Sequence, residues 1–254
     1  ALYNGILAGV SLDGTKFFYV NPLASMGNHH RSEWFGCACC PPNVARILAS
    51  LGGYAYATSE DAVWVNLYIQ GSANVTLGGR KITLEVTTDY PWDGLVRIAP
   101  QLAAPSRFAL RLRVPGWCTG ASVKINGRRV SNPTMEQGYL ALDRTWRTGD
   151  KVELNLPMPV RKVEANPLVK EDIGHRAIQR GPIVYCLEAC DQVAPVSRIA
   201  FLANARLKPE RRPDLLGGMV VLRGTGEVAS DEDWAGKLYR TAIPPRQVPV
   251  VAIP

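Results

Sequence analysis

Apolar residues recur at two different spacings along the 254-residue chain, and the change falls near residue 55. Before it, Leu2, Tyr3, Ile6 and Leu7 stand at helical spacing within residues 1–10, which predicts a short amphipathic helix. Residues 16–20 form a brief apolar, aromatic strand-like run, and 21–38 are loop-like. Pro41-Pro42 suit the first turn of a second helix, whose stripe of Val44, Ile47, Leu48 and Leu51 ends at Gly52-Gly53. After Tyr54 the pattern becomes short alternating runs closed by Gly, Asn, Asp or Pro. Runs at 62–68, 74–77, 82–88, 95–98, 108–114, 122–125, 128–130, 139–142 and 151–156 predict an antiparallel sandwich, with Asn126-Gly127 as a hairpin turn. Pro157-Met158-Pro159 would interrupt a sheet ladder there. Beyond it, runs at 160–165, 177–179, 183–187, 198–202, 219–222, 238–242 and 248–253 predict a second, smaller β unit. The fold class expected is mainly β, two antiparallel β-sandwich domains behind a short helical segment, with divisions at 1–55, 56–158 and 159–254.

Composition agrees with a packed globular chain: 46% of residues are apolar, 20% charged, and 23 Gly and 19 Pro are spread without a period. Disordered, collagenous, coiled-coil and solenoid classes are thereby excluded, and no apolar run approaches the roughly 18 to 20 residues of a membrane helix. The 29 basic residues exceed the 22 acidic ones, a net charge of +7. They stand as scattered pairs such as Arg128-Arg129, Arg161-Lys162 and Arg211-Arg212, so no basic stripe for nucleic acid or a membrane surface is present. The opening Ala1-Leu2-Tyr3-Asn4 lacks an initiator Met and a signal-type segment and reads as an excerpt of a longer sequence.

Three of the six cysteines fall in Cys37-Ala38-Cys39-Cys40-Pro41-Pro42-Asn43. Neighbouring cysteines rarely pair with one another, because a disulfide wants its two Cα atoms about 4.4–6.8 Å apart without peptide strain. A metal site, a reactive thiol, or three small buried core residues are the readings left open. A position just before a helix helps the first two, since its N–H groups favour thiolate. Zinc takes four ligands, so Cys39 and Cys40 would leave about two to find, with His29 and His30 nearby. Cys118, Cys186 and Cys190 stand singly in or beside strand-like runs.

At this cluster the sequence resembles the glycoside hydrolase family 127 β-L-arabinofuranosidases. The matching stretches are Phe18-Tyr19-Val20-Asn21-Pro22-Leu23, Trp34-Phe35-Gly36-Cys37-Ala38-Cys39-Cys40-Pro41-Pro42-Asn43, Leu112-Arg113-Val114-Pro115-Gly116-Trp117-Cys118, Leu154-Asn155-Leu156-Pro157-Met158-Pro159-Val160 and Gln179-Arg180-Gly181-Pro182. The resemblance implies an (α/α)6 catalytic barrel followed by β-sandwich domains, with 1–55 as a C-terminal remnant of that barrel and the second sandwich stopping early. It implies hydrolysis of β-linked L-arabinofuranosides with retention, so an arabinose-containing oligosaccharide or glycoconjugate is the expected partner. By motif, Cys39 is the implied nucleophile and zinc ligand, Cys40 a zinc ligand, and Tyr3 a substrate-pocket residue. The family's acid/base Glu and a Glu-x-Cys element with the other zinc ligands lie upstream of the region matching residue 1, so the zinc site implied is incomplete. Asp13 and Glu33 are the acids within 1–55, and Glu33 is a weak substitute for the missing acid. The expectation is that these residues alone are inactive.

Two other classes stay open. The sandwiches would serve as a carbohydrate-binding or structural module if Trp92, Trp117 or Trp146 exposed a ring for sugar stacking. Cys37, Cys39 and Cys40 would serve a thiol redox or metal-storage protein if they titrated reversibly. The helical segment would need cover from the sandwich, a second copy in a homo-oligomer, or further sequence. Neutral-pH thiolate chemistry favours a reducing compartment, and cytoplasm is the expectation.

Overall fold

The computed structural model describes residues 2–22, 24–37, 39–202, 204–229 and 236–254. Ala1, Leu23 and Ala38, which fall in the runs read as first helix and loop, lie outside that description. The chain divides into two compact units, Ala1–Pro159 and Val160–Pro254.

The first unit opens with a π-helix over Leu2–Leu7 rather than an α-helix, and the Ala8 N–H reaches back five residues to the Tyr3 carbonyl at 3.0 Å. Gly5 lies inside this turn, where its low helix propensity weakens the α-helical alternative. The 16–20 run makes no strand. Asp13-Gly14 and Asn21-Pro22 cut it short on both sides, and Phe17 alone forms bridges, to Val10 and Ser32. Helices α1 (Cys40–Ser50) and α2 (Gly52–Ala55) follow, separated at Leu51.

Eleven strands follow in this unit: β1 (Tyr56–Thr58), β2 (Ala62–Val65), β3 (Gly71–Leu77), β4 (Arg80–Thr88), β5 (Leu95–Leu102), β6 (Ser106–Arg113), β7 (Ser122–Ile125), β8 (Arg128–Arg129), β9 (Thr134–Glu136), β10 (Tyr139–Trp146) and β11 (Val152–Asn155). They form two sheets, ordered β1-β2-β6-β10-β9 and β3-β4-β5-β11-β7-β8, antiparallel except where β2 runs parallel to β6. One face of each sheet is apolar at every second residue. Val63, Leu110, Leu112 and Leu140 from one sheet join Ile82, Leu84, Ile98 and Leu154 from the other in a single buried cluster, which makes the unit a sandwich. Asn126-Gly127 turns the β7–β8 hairpin with positive φ at both residues, and Gly78-Gly79 and Gln137-Gly138 do the same elsewhere. Strand β9 was not legible in the sequence, because its three residues are all exposed and carry no alternation. Trp146 cannot be a sugar platform: its side chain is fully buried and its indole N–H donates to the Phe108 carbonyl at 3.0 Å. Trp117 is partly buried, with part of its side chain against the core.

The second unit holds β12 (Val160–Val163), β13 (Ala177–Arg180) and β14 (Ile183–Tyr185) in one sheet, and β15 (Ile199–Ala200), β16 (Lys208–Arg212), β17 (Met219–Val228) and β18 (Arg246–Ala252) in another. Strand β17 pairs with β18 along one edge and with β16 and then β15 along the other. Residues 238–242, expected as a strand, are irregular, with Leu238 and Tyr239 exposed. Pro244-Pro245 cannot donate to a ladder, and the partner of β17 begins only at Arg246.

Gly94 precedes β5, and a Cβ there would lie 1.9 Å from the Leu156 carbonyl oxygen, while the Leu156 N–H donates to the Gly94 carbonyl at 2.9 Å. Gly94→Ala is expected to lower stability by about 1–3 kcal/mol through overpacking. Gly116→Ala, where a Cβ meets nothing within 4 Å, should stay within about 0.5 kcal/mol of the parent in denaturant melts. Asp150 supplies a second test. Burial pushes its carboxyl up, but the Asn126 amide, the Arg147 backbone N–H and the charges of Arg144 and Arg147 outweigh burial and hold it below the ordinary carboxylate range. A carboxyl depressed in the folded state stabilises above the unfolded pKa of about 3.9 and ceases to do so as pH falls through the folded value. Asp150→Asn should therefore be less stable than the parent at pH 7, and the gap should close as unfolding is measured below about pH 4.

Candidate active site

Two extended segments lie side by side before α1. Phe17 and Ser32 exchange backbone hydrogen bonds, both at 3.0 Å. The chain bends at Glu33, between the bridge and Phe35, and the Phe35 ring meets both Phe17 and Tyr19 of the other segment, at ring separations of 5.2 and 5.6 Å. Cys37, two residues beyond Phe35, receives the Tyr19 hydroxyl at 3.8 Å. Cys39, two further on, is the N-cap residue of α1, and Cys40 is the helix's first residue.

The three sulfurs form a chain. Cys39 Sγ lies 3.0 Å from Cys37 Sγ and 3.4 Å from Cys40 Sγ. None of the six cysteines is in a disulfide. The Asn43 side-chain amide donates to the Cys39 carbonyl at 2.5 Å, and Arg46 holds the Asn43 amide oxygen. Pro41 and Pro42 occupy first-turn positions and carry no N–H. Two of the donors expected to favour a thiolate are thus missing, and the neighbouring sulfurs decide the protonation pattern. The Cys37 thiol is drawn below its usual range by hydrogen bonds from the Cys39 side chain and backbone and from Tyr19. Cys39 is pushed up to about 11, because its bond to Cys37 and then its contact with Cys40 favour keeping the proton. The Tyr19 hydroxyl is pushed up in turn by the sulfurs it faces.

Tyr3 makes its ring contact with another tyrosine. Its ring packs on Tyr90 at 6.2 Å, Tyr90 meets Tyr68 edge-on at 5.7 Å, and the Tyr68 hydroxyl donates to the Arg113 carbonyl. His29 is engaged elsewhere, with Nε2 2.6 Å from the Val20 carbonyl and its ring stacked on Phe18. His30 is exposed, and Glu33 lies 4.0 Å from Lys16. Tyr19, inside a matching stretch, received no role from the sequence, because only the pairing of the two segments brings it to Cys37.

Two thiolates on one tetrahedral zinc at about 2.3 Å stand roughly 3.8 Å apart. Cys39 and Cys40 need shift by only a few tenths of an ångström to span such an edge, and a soft sulfur pair suits zinc. They fit it as two ligands of four. Among the described residues, the group of three metal-type donor atoms lying within 4.8 Å of one another is Glu188, Cys190 and Asp191, all exposed in the second unit, so no carboxylate or histidine joins the sulfur pair at that range.

Comparison with known proteins gives this arrangement its context. A GH127 beta-L-arabinofuranosidase from Geobacillus stearothermophilus T6 superimposes with a TM-score of 0.92 at 43% identity, covering 100% of this chain and 42% of that one. A second solved structure, a GH127 beta-arabinofuranosidase, gives 0.91 at 39% identity, covering 100% and 41%. The non-reducing end beta-L-arabinofuranosidase of Bifidobacterium longum subsp. longum is 36% identical over 267 residues, 96% of this chain and 40% of the relative. The architecture is therefore that of glycoside hydrolases. Three descriptions of one family match in succession: the beta-L-arabinofuranosidase GH127 catalytic domain over residues 1–53, the GH127 middle domain over 62–158, and the glycoside hydrolase family 127 C-terminal domain over 160–254. The chain belongs to glycoside hydrolase family 127. It spans about two fifths of the length of the relatives it matches.

The protonation pattern has a direct check. In metal-free protein at pH 8, Cys37 is expected to react with iodoacetamide before Cys39, because Cys37 ionises below the usual range and Cys39 near pH 11. Peptide mass spectrometry reads the order, and Cys39 reacting first would contradict it.

Proposed function

We propose that this chain supplies the nucleophile-bearing end of a retaining β-L-arabinofuranosidase catalytic site, together with the β domains that follow it. The observation that carries the proposal is the pair of sulfurs, Cys39 and Cys40, 3.4 Å apart at the start of α1 in a family 127 chain. Cys39 is the proposed nucleophile and Cys40 its companion ligand for zinc. When bound, zinc supplies the positive charge that keeps a coordinating thiol deprotonated at neutral pH. That role has a reason here, since the metal-free Cys39 thiol holds its proton to about 11. Asn43 and Arg46 fix the Cys39 backbone through its carbonyl, so the sulfur is presented from a rigid helix start. Attack of the Cys39 sulfur on the anomeric carbon would break the glycosidic bond, the aglycone leaving with a proton from the general acid, and base-assisted attack of water would then release the sulfur, so that two inversions give net retention.

A retaining glycosidase also needs a general acid/base. Glu33 faces Lys16, and no carboxylate among the described residues joins the sulfur pair at coordinating range. The 254 residues alone are therefore proposed to be inactive, and a chain that adds the upstream part of the family catalytic domain to be active. Tyr3, on its Tyr90 stack, is proposed to border the sugar site from the sandwich side. Cytoplasm, where thiols stay reduced, is the proposed compartment.

Hydrolysis of an aryl β-L-arabinofuranoside tests this. The 254-residue chain should show none, and the extended chain should hydrolyse it with the β-anomer as first product by NMR. In the extended chain, Cys39→Ser should cost on the order of 10³-fold or more in kcat, and Cys40→Ser should lower bound zinc measured by metal analysis. Full activity in the 254-residue chain, or an inverted first product, would overturn the proposal.

A further inference from the structure

We infer that Tyr19 and Cys37 are positioning residues for Cys39, a role that rests on the reading of Cys39 as the nucleophile. The geometry is a relay of contacts with no member to spare. The Phe17–Ser32 bridge sets the register of the two extended segments, with both backbone bonds at 3.0 Å. Beyond the bridge the chain bends at Glu33, and the Phe35 ring packs against both Phe17 and Tyr19, at 5.2 and 5.6 Å. Tyr19, with its ring against Phe35, delivers its hydroxyl to Cys37 Sγ at 3.8 Å. Cys37 Sγ in turn lies 3.0 Å from Cys39 Sγ.

Before any metal is bound, the Cys39 side chain needs such a guide. It stands at the N-cap of α1 but makes no capping hydrogen bond, and the residue is exposed, so the helix fixes its backbone and leaves its χ1 rotamer open. Lateral contact with Cys37 and Cys40 selects the rotamer in which the sulfur sits between them. Tyr19 selects the Cys37 rotamer that makes this contact. Neither residue need touch the sugar.

The proximity itself can be measured on the 254-residue chain, made metal-free with a chelator. Diamide oxidises two neighbouring thiols: one sulfur–sulfur bond forms, two protons and two electrons pass to the diazene, and a hydrazine is released. Quenching with iodoacetamide and sequencing the peptide shows Cys40 alkylated where Cys37 and Cys39 have closed on each other. Tyr19→Phe keeps the ring on Phe35 and removes only the hydroxyl. It is expected to slow Cys37–Cys39 closure about five-fold, the factor given by loss of one hydrogen bond of ordinary net strength, while circular dichroism stays that of the parent. Closure at the parental rate overturns the inference. In a chain carrying the whole family catalytic domain, Tyr19→Phe should lower kcat and leave KM unchanged, because a misdirected nucleophile weakens the transition state and not substrate binding. An unchanged kcat overturns the positioning role. Should Cys39→Ser keep full activity, the nucleophile reading fails by that result alone, and the closure rates still report whether Tyr19 holds the sulfurs together.

Discussion

The structure of the first unit depends on the burial of two apolar sheet faces against each other. Leu110, Leu112 and Leu140 on one sheet and Leu84, Ile98 and Leu154 on the other are at most 1% exposed, and each such side chain contributes roughly 1.5–3 kcal/mol relative to staying in water. Trp146 anchors this layer by pairing its one polar atom with the Phe108 carbonyl, which removes the cost of burying an unmatched N–H. Helix α1 has no such foundation, since none of its described side chains is buried. The segment before it is tied to the sandwich by the Tyr3–Tyr90–Tyr68 series of rings. Tyr3 therefore has a packing role whatever it does toward a sugar.

The sulfur cluster follows from a second constraint, local in origin. Two short segments are joined by one bridge, and the ring packing of Phe17 and Tyr19 on Phe35 holds them together where the Tyr19 hydroxyl reaches Cys37, just before the helix that Cys39 caps. The prolines that open α1 favour its helical φ but remove N–H donors. The thiols then polarise one another, and the direction is the reverse of what a nucleophile at Cys39 requires: the Cys37 thiol is drawn below its usual range and the Cys39 thiol pushed above it. Under the proposal, Cys39 and Cys40 would hold a zinc ion whose charge would favour the thiolate at both.

Much of this was legible in the residues. The helix ending at Ser50, most strands of the sandwich and the Asn126-Gly127 hairpin follow from periodicity and turn chemistry. What escaped was set by partners distant in sequence. Strand β1 owes its existence to pairing with β2, exposed β9 to β10, and charged β16 to β17, while the apolar run at 238–242 has no ladder to join. At the candidate site, spacing in Cys-Ala-Cys-Cys-Pro-Pro-Asn left several readings open, and the family resemblance singled out Cys39 and Cys40 for the roles proposed. The partner of Cys37 did not show, since Tyr19 lies 18 residues away and no spacing rule links an isolated bridge to a thiol.

The claim at the centre of this account is that the Cys39 sulfur forms a bond to the sugar. The most direct measurement is mass spectrometry of a chain carrying the complete family catalytic domain, quenched in acid during turnover of an activated β-L-arabinofuranosyl substrate, digested and sequenced. A pentosyl group on Cys39 is the result predicted. A pentosyl group on an Asp or Glu side chain, with Cys39 unmodified, would contradict it.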